Sequence, residues 1–387
     1  MNWGRLAVQS GVAALLVLGF LYGAKVTAGL VDAERKLTAN AMREPQIADP
    51  LQTYVEVTLP EAPMPLLSAG YLGIAPSIHL IRFNTALPLA NVDQIENLAR
   101  RRYGRVDLNF VLVNFVPLLL LPIALLAVQE MREKNAWHAV RGGRKKLLDF
   151  AMEHIMLPLF AWAGLGAAAL LAVLYAFGLK LDSNENLLRL ALWLLAVGIY
   201  SLFWLLVFAA CLAHAKTLNR AAALYAFWGL VLLVAAPGLS ASLQAAVSRP
   251  EPRTEIALLR LERLQTGGGA IPESGSSHGQ SKILKLAPGL FLQDLADILA
   301  GTDAGRYGDF RQRVVAFSRD WRSYLLPFVQ RKEALDYDDL RRAPKFAFAK
   351  ENDPRVVTRV IPNLFVLLLF LLCPAWSIRK AIQNQPD

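Results

Sequence analysis

Residues 187–213 read LLRLALWLLAVGIYSLFWLLVFAACLA, 27 residues that are almost wholly apolar. At 1.5 Å of rise per residue, a helix of about 20 such residues crosses the roughly 30 Å hydrocarbon core of a bilayer, so this stretch is long enough to span. Comparable blocks lie at 6–30, 108–128, 155–179, 221–246 and 360–376. The last has 17 residues, and Trp376, Arg379 and Lys380 read as interfacial anchors that extend its reach. Composition agrees with this reading. Of the 387 residues 55% are hydrophobic and 19% charged, where a soluble domain has about 45–50% and about 25%. A simple soluble enzyme is excluded. Cys211 and Cys373 both sit in apolar blocks, which leaves neither a disulfide framework nor a four-ligand zinc site.

The expected fold is an all-α polytopic membrane protein with six transmembrane helices. Short flanks set its orientation, because long loops are translocated largely regardless of charge. One side collects Arg5, six basic residues between 129 and 154, Lys216, Arg220, Arg379 and Lys380, while the short loop 180–186 on the other side has only Lys180. Both termini are therefore expected in the cytoplasm. The net charge of +10 is read through its placement at these flanks, and nucleic acid is not an expected partner. The first block has a rival reading as a signal peptide, with Arg5 before it and Val26-Thr27-Ala28 as the cleavage site. Its apolar stretch exceeds the usual 7–15 residues of a signal core, which favours a retained helix.

The expected organisation is a first transmembrane helix at 1–30, an extracytoplasmic segment at 31–107, a second helix at 108–128 and a cytoplasmic segment at 129–154. Helices three to five follow at 155–246, a second extracytoplasmic segment at 247–359, the sixth helix at 360–376 and a cytoplasmic tail at 377–387. The two long segments carry 8 basic with 9 acidic and 19 basic with 15 acidic residues, the near-balance of a solvated domain. In the first, 54–59 alternates with a period of two and 77–83 reads as another short strand, whereas the second reads as helices at 255–265, 288–300 and about 309–330. Pro327 is expected to end or kink the last of these, and 267–281 reads as a flexible linker. Together the two segments are expected to form an α+β extracytoplasmic lobe.

No P-loop pattern is present, Glu153-His154 lacks the second histidine of a zinc-protease helix, and no serine sits in a Gly-x-Ser-x-Gly elbow. No cofactor and no catalytic role are expected, and a lipid-modifying enzyme finds no convergent His, Asp or Ser set. The informative stretch is cytoplasmic, where Glu130, Arg132, Glu133 and Lys134 precede Trp137, Val140, Arg141 and the basic run Arg144-Lys145-Lys146. A helix lying in the interface here would bury Trp137, Val140, Leu147 and Leu148, and its charges would offer a docking surface. The plainer reading is a basic flank that only orients the chain. Asn109, Asn114, Ser201 and Asn363 within the spans read as interhelical hydrogen-bonding groups, and Pro117, Pro122 and Pro237 as kinks or hinges.

The order of spans, with a charged Glu-x-Arg-Glu cluster ending the second, resembles an ABC-2-type transporter permease, in the branch with two large extracytoplasmic segments. Residues 65–76, glycine-centred and ending in Pro76, and 317–327, with Trp321 and Pro327, are similar to motifs of that branch. The resemblance implies that Glu130, Arg132, Glu133, Lys134, Trp137 and Arg141 couple the chain to a separate ATP-binding-cassette ATPase, with Asn135-Ala136 standing where the family has Gly-Thr. It further implies an exporter subunit that works as a homodimer or with a second permease, and the compact basic flanks suit a bacterial inner membrane. The mainly apolar spans favour a hydrophobic or amphipathic substrate. The alternative function is a polytopic sensor or assembly factor whose lobe binds a ligand or protein.

Overall fold

In lipid a backbone polar group has no water to turn to, so each apolar block must satisfy its own N–H and C=O groups as a helix. The computed structural model describes residues 3–41, 53–72, 77–83, 89–90, 107–133, 157–179, 181–215, 218–247, 285–348 and 353–383. The first block lies in α1 (Trp3–Ala41), the second in α2 (Leu108–Glu133), the third in α3 (Leu157–Ala176) and the fourth in α4 (Asn184–His214). The fifth is α5 (Leu218–Leu230), a π-helical turn at Val231–Ala235, and α6 (Ala236–Val247). Among the described residues that follow are α7 (Pro288–Ala300), α8 (Ala304–Arg331), α9 (Tyr337–Arg342) and α10 (Asp353–Gln383).

Four described stretches are long and apolar enough to cross a membrane: Ser10–Lys36, Asn184–His214, Asn219–Leu243 and Pro354–Ala381. Shorter apolar stretches are described in α2 and α3, at Leu108–Pro122 and Gly166–Ala176. Leu224, Phe227, Trp228 and Leu230 of α5, with Phe365, Leu369, Leu372 and Trp376 of α10, stay exposed on the protein. Such rows suit hydrocarbon surroundings, and we read the chain as a helical membrane protein. Val26-Thr27-Ala28 falls inside α1, where Thr27 is fully buried and donates its hydroxyl to the Gly23 carbonyl.

The bundle core is built around Trp193, Tyr200, Phe203 and Trp204 of α4. Leu292, Leu295 and Leu299 of α7 belong to that same core, so this helix sits among α2, α4 and α10. A second core lies where the two long segments meet. Strands β1 (Tyr54–Thr58), β2 (Ile78–Arg82) and β3 (Leu89–Ala90) form an antiparallel sheet in the order β1-β2-β3, with Val57 paired to His79. Val57 and Ile81 pack on Phe310, Val314, Phe317, Trp321 and Leu325, one face of α8. The alternation read in 54–59 and 77–83 thus appears as strands with inward Val57 and Ile81. The expected helix near 309–330 is longer. Asp303 caps its start by accepting the Gly305 and Arg306 N–H groups, and it runs through Pro327 to Lys332, which ends it in the left-handed region at φ 54°. A proline this near the C-terminus removes one hydrogen bond and leaves the last turn in place. The expected helix at 255–265, the linker at 267–281 and the interfacial stretch around Trp137, Val140, Leu147 and Leu148 lie outside the described residues.

His79 gives this lobe a pH dependence. Its ring is buried against Phe310, with centroids 5.6 Å apart, and desolvation together with the nearby Arg311 lowers its pKa from 6.5 to about 4. The folded lobe therefore binds fewer protons than the unfolded chain below pH 6.5. Stability is full above that pH and is lost as pH falls toward 4, by about 2 kcal/mol at pH 5. Unfolding followed at several pH values should show this slope, and His79→Phe should remove that share of it.

Candidate functional site

Two places in the fold concentrate polar chemistry. The sequence pointed to the first, at the far end of α2. That helix continues unbroken from the apolar span to Glu133, so Glu130, Arg132 and Glu133 fall on its last turns. Their side chains, and all of Lys134, Trp137 and Arg141, lie outside the described residues.

The second place lies where the lobe meets the bundle, and the sequence reading missed most of it. The chain between β1 and α2 folds back over the α7–α8 elbow. The Met64 N–H donates to the Ala300 carbonyl and the Tyr71 N–H to the Thr302 carbonyl. Ser68 Oγ donates to Asp297 Oδ1 at 2.5 Å, and Thr302 Oγ1 returns a bond to the Ser68 carbonyl at 3.1 Å. Asp107 accepts the Ala69 N–H with one oxygen and the Phe110 N–H with the other, which caps α2 and holds the loop with one carboxylate. Gly70 and Gly301 take positive φ values of 41° and 74°; a Cβ would lie 2.5 Å from the Thr302 carbonyl oxygen at the first and 2.5 Å from Pro63 Cδ at the second. Only glycine fits both the backbone and the space there.

Three arginines complete the joint, Arg189 and Arg306 buried and Arg359 partly so. Arg306 is buried and donates to the carbonyls of Gly301, Pro60 and Glu61 at 2.6, 2.7 and 3.1 Å. Arg189 at the start of α4 donates to the Leu299 carbonyl at 3.2 Å, and Arg359 in α10 pairs with Asp303. The spans of α4 and α10 are thus each tied to the α7–α8 elbow through an arginine. An acid inside the apolar run 288–300 was the available signal, since a buried carboxylate needs a donor.

Of the span residues read as hydrogen-bonding groups, Asn109 donates out of its helix to Ser68 Oγ and the Gln293 carbonyl, both at 3.4 Å. Asn114 and Ser201 instead donate to carbonyls four residues back, Phe110 and Val197. Two tyrosines also donate between helices. Pro117 has no N–H to give the Val113 carbonyl, and Tyr200 Oη donates to that oxygen at 2.7 Å. Tyr225 Oη donates to the Pro117 carbonyl at 2.8 Å. Two neighbouring side chains thereby brace the proline turn of α2.

Beside the joint lies a cavity of about 160 Å³ between α2, α7 and the π turn. Phe110, Val113, Leu232, Leu233 and Leu290 form its apolar wall; Asp107, Asn114, Gln293 and Asp297 supply its polar groups. Gly289 lets α7 approach α2, since a Cβ there would lie 2.7 Å from Val113 Cγ1. Among the described residues no group of three or more His, Cys, Asp or Glu side chains is placed to hold a metal ion.

Residues 280–349 match a domain of unknown function, DUF3526. The match takes in α7, α8 and α9, and so the elbow with Asp297, Asp303 and Arg306. It covers less than a fifth of the 387 residues. No curated protein and no solved structure matches the chain.

Proposed function

We propose that this chain is the permease subunit of an ATP-binding-cassette exporter, with six transmembrane helices, cytoplasmic termini and a lobe outside a bacterial inner membrane. It works as a homodimer or beside a second permease, and a separate ATPase hydrolyses the ATP. The observation that carries the reading is the continuity of α2 from Leu108 through the charged cluster to Glu133. A rod of this kind gives the ATPase a rigid lever on the span, which a flexible flank would not. A ligand shifts a two-state bundle only through different affinities for its two arrangements, so the grip at Glu130, Arg132, Glu133, Lys134, Trp137 and Arg141 must persist through the cycle. The prolines of α2 and their tyrosine braces lie between that lever and the joint, which supports a path for movement along α2.

A second reading, a polytopic sensor or assembly factor, is favoured by the tight anchoring of the lobe to the spans through Arg189, Arg306 and Arg359. Co-purification separates the two. The exporter reading expects an ATPase to be captured with the full chain, and expects Glu133→Ala with Trp137→Ala to cut chain-stimulated ATP hydrolysis at least tenfold while thermal stability stays unchanged. Capture of no ATPase, or unchanged stimulation in the double variant, would contradict it.

A further inference from the structure

Helix α7 belongs by sequence to the second long segment, yet it runs down into the bundle. At one end the Leu299 carbonyl meets Arg189; at the other Gly289 lies against Tyr200, where a Cβ would be 3.5 Å from the tyrosine oxygen. Residues 289–299 and 189–200 therefore lie side by side in opposite directions, each stretch about 15–17 Å long at 1.5 Å per residue. Along α2 the match repeats. Asn109 donates to the Gln293 carbonyl, and Gly289 lies against Val113. The helix is also stiff. Pro288 occupies its first turn, Gly301 stops it, the run from Leu290 to Ala300 holds no glycine or proline, and Leu292, Leu295 and Leu299 are fully buried in the bundle core.

At the elbow end the Ala300 and Thr302 carbonyls accept the Met64 and Tyr71 N–H groups, and Arg306 joins Gly301 to Pro60 and Glu61. At the bundle end Gly289 packs on Val113 and Tyr200, the pair whose hydrogen bond stands in for the N–H missing at Pro117. A Cβ on Gly289 would be 2.7 Å from Val113 Cγ1, so that contact has no slack. We propose that α7 is a push rod through which the lobe sets the bend of α2. Displacement of the loop 60–72 at the elbow moves Gly289 against the Val113–Tyr200 brace, and a change at the Pro117 turn moves the loop in return. Close-packed helices shift past one another as units, by about 1–2 Å, and the long Arg189 side chain can follow the Leu299 carbonyl over that distance. The effect must run both ways, because a coupling free energy is reciprocal. That the rod informs an ATPase at the far end of α2 rests on the exporter reading; that its two ends move together does not.

The test changes the bundle end and reads the elbow end, on the full chain in phosphatidylcholine nanodiscs without any ATPase, so failure of the rod and failure of the exporter reading are distinguishable. Dilute protease is added well below the thermal midpoint, and cutting within 53–72 is timed; under these conditions the rate follows the population of the opened loop. Tyr200→Phe removes only the hydroxyl. The Val113 carbonyl must then turn to another donor, and Val113 moves with it against Gly289. Cutting is expected to speed up at least fivefold. Tyr225→Phe removes the second brace on the same turn, but that ring does not come within 4 Å of a Cβ on Gly289, and the rate is expected to change less than twofold. An unchanged rate in Tyr200→Phe, or equal acceleration in both tyrosine variants, would overturn the proposal. Where Tyr200→Phe does not fold, Val113→Ala, which opens the same contact by removing both γ-methyl groups, is judged against Tyr225→Phe by the same measure.

Discussion

Arg306→Ala is expected to destabilise the protein by about 5 kcal/mol and to release the lobe from the bundle. The guanidinium is buried, and its three short bonds run to carbonyls on two segments, Gly301 at the α7–α8 elbow and Pro60 and Glu61 in the loop after β1. Hydrogen bonds from a charged donor are each worth about 1.5–3 kcal/mol, and the alanine variant leaves three carbonyl acceptors facing a void. Part of that gain is offset, because burying the cation costs several kcal/mol in the first place. Arg306→Lys keeps the charge and loses the planar fork that reaches both segments, so an intermediate loss is expected. Denaturant unfolding in detergent gives the magnitude, and limited proteolysis of 53–72 reports the released loop. A loss below about 1 kcal/mol for the alanine variant would mean that the joint is held elsewhere.

The second large effect is expected from Gly23→Leu. A Cβ at Gly23 would lie 2.8 Å from Leu108 Cα and 2.9 Å from Leu108 N, and one at Gly19 would lie 3.2 Å from Val111 Cγ1. Gly19 and Gly23 are four residues apart on one face of α1, a small-xxx-small seam that lets two membrane helices touch backbone to backbone. Leu108 cannot give way cheaply, since the adjacent Asp107 is tied to the Ala69 and Phe110 N–H groups. The helices must separate instead, and the buried Phe20, Ala24 and Thr27 lose their packing. About 3 kcal/mol or more is expected, against a smaller loss for Gly23→Ala. Thermal unfolding of both variants checks the order, and a leucine variant as stable as the parent would remove the seam from the account.

The parts of the fold legible in the sequence are those governed by local periodicity. The block 187–213 became α4 nearly to the residue, because its apolar run is bounded by Ser183 as N-cap and by the break after His214. The helix at 288–300 was equally plain, with Pro288 at its first turn and Gly301 as its left-handed stop. The last helix extends well beyond 360–376 on both sides, to Asp353–Gln383, since a helix can continue into polar residues once lipid no longer selects for apolar ones. The joint was not legible. Asp297 meets Ser68, and Arg306 meets Pro60, across more than 200 residues of chain, and neither end carries a pattern that names the other. The π turn was hidden as well, because VLLVA at 231–235 reads like any other apolar run and only the proline that follows hints at a disturbed ladder. The stretch 130–141 was read as a docking surface from its charges and aromatic residue, whereas its coupling to an ATPase entered through a family resemblance, a different kind of warrant.

The central claim is that the spans place residues 129–154 in the cytoplasm, opposite the lobe carried by α8. Single cysteines introduced at Arg141 and at Gln330, in a chain with Cys211 and Cys373 replaced, test it directly with a membrane-impermeant maleimide on intact cells. The account predicts labelling at 330 from outside and labelling at 141 only after the membrane is opened. Labelling at 141 from outside, or of both positions from the same side, would contradict it.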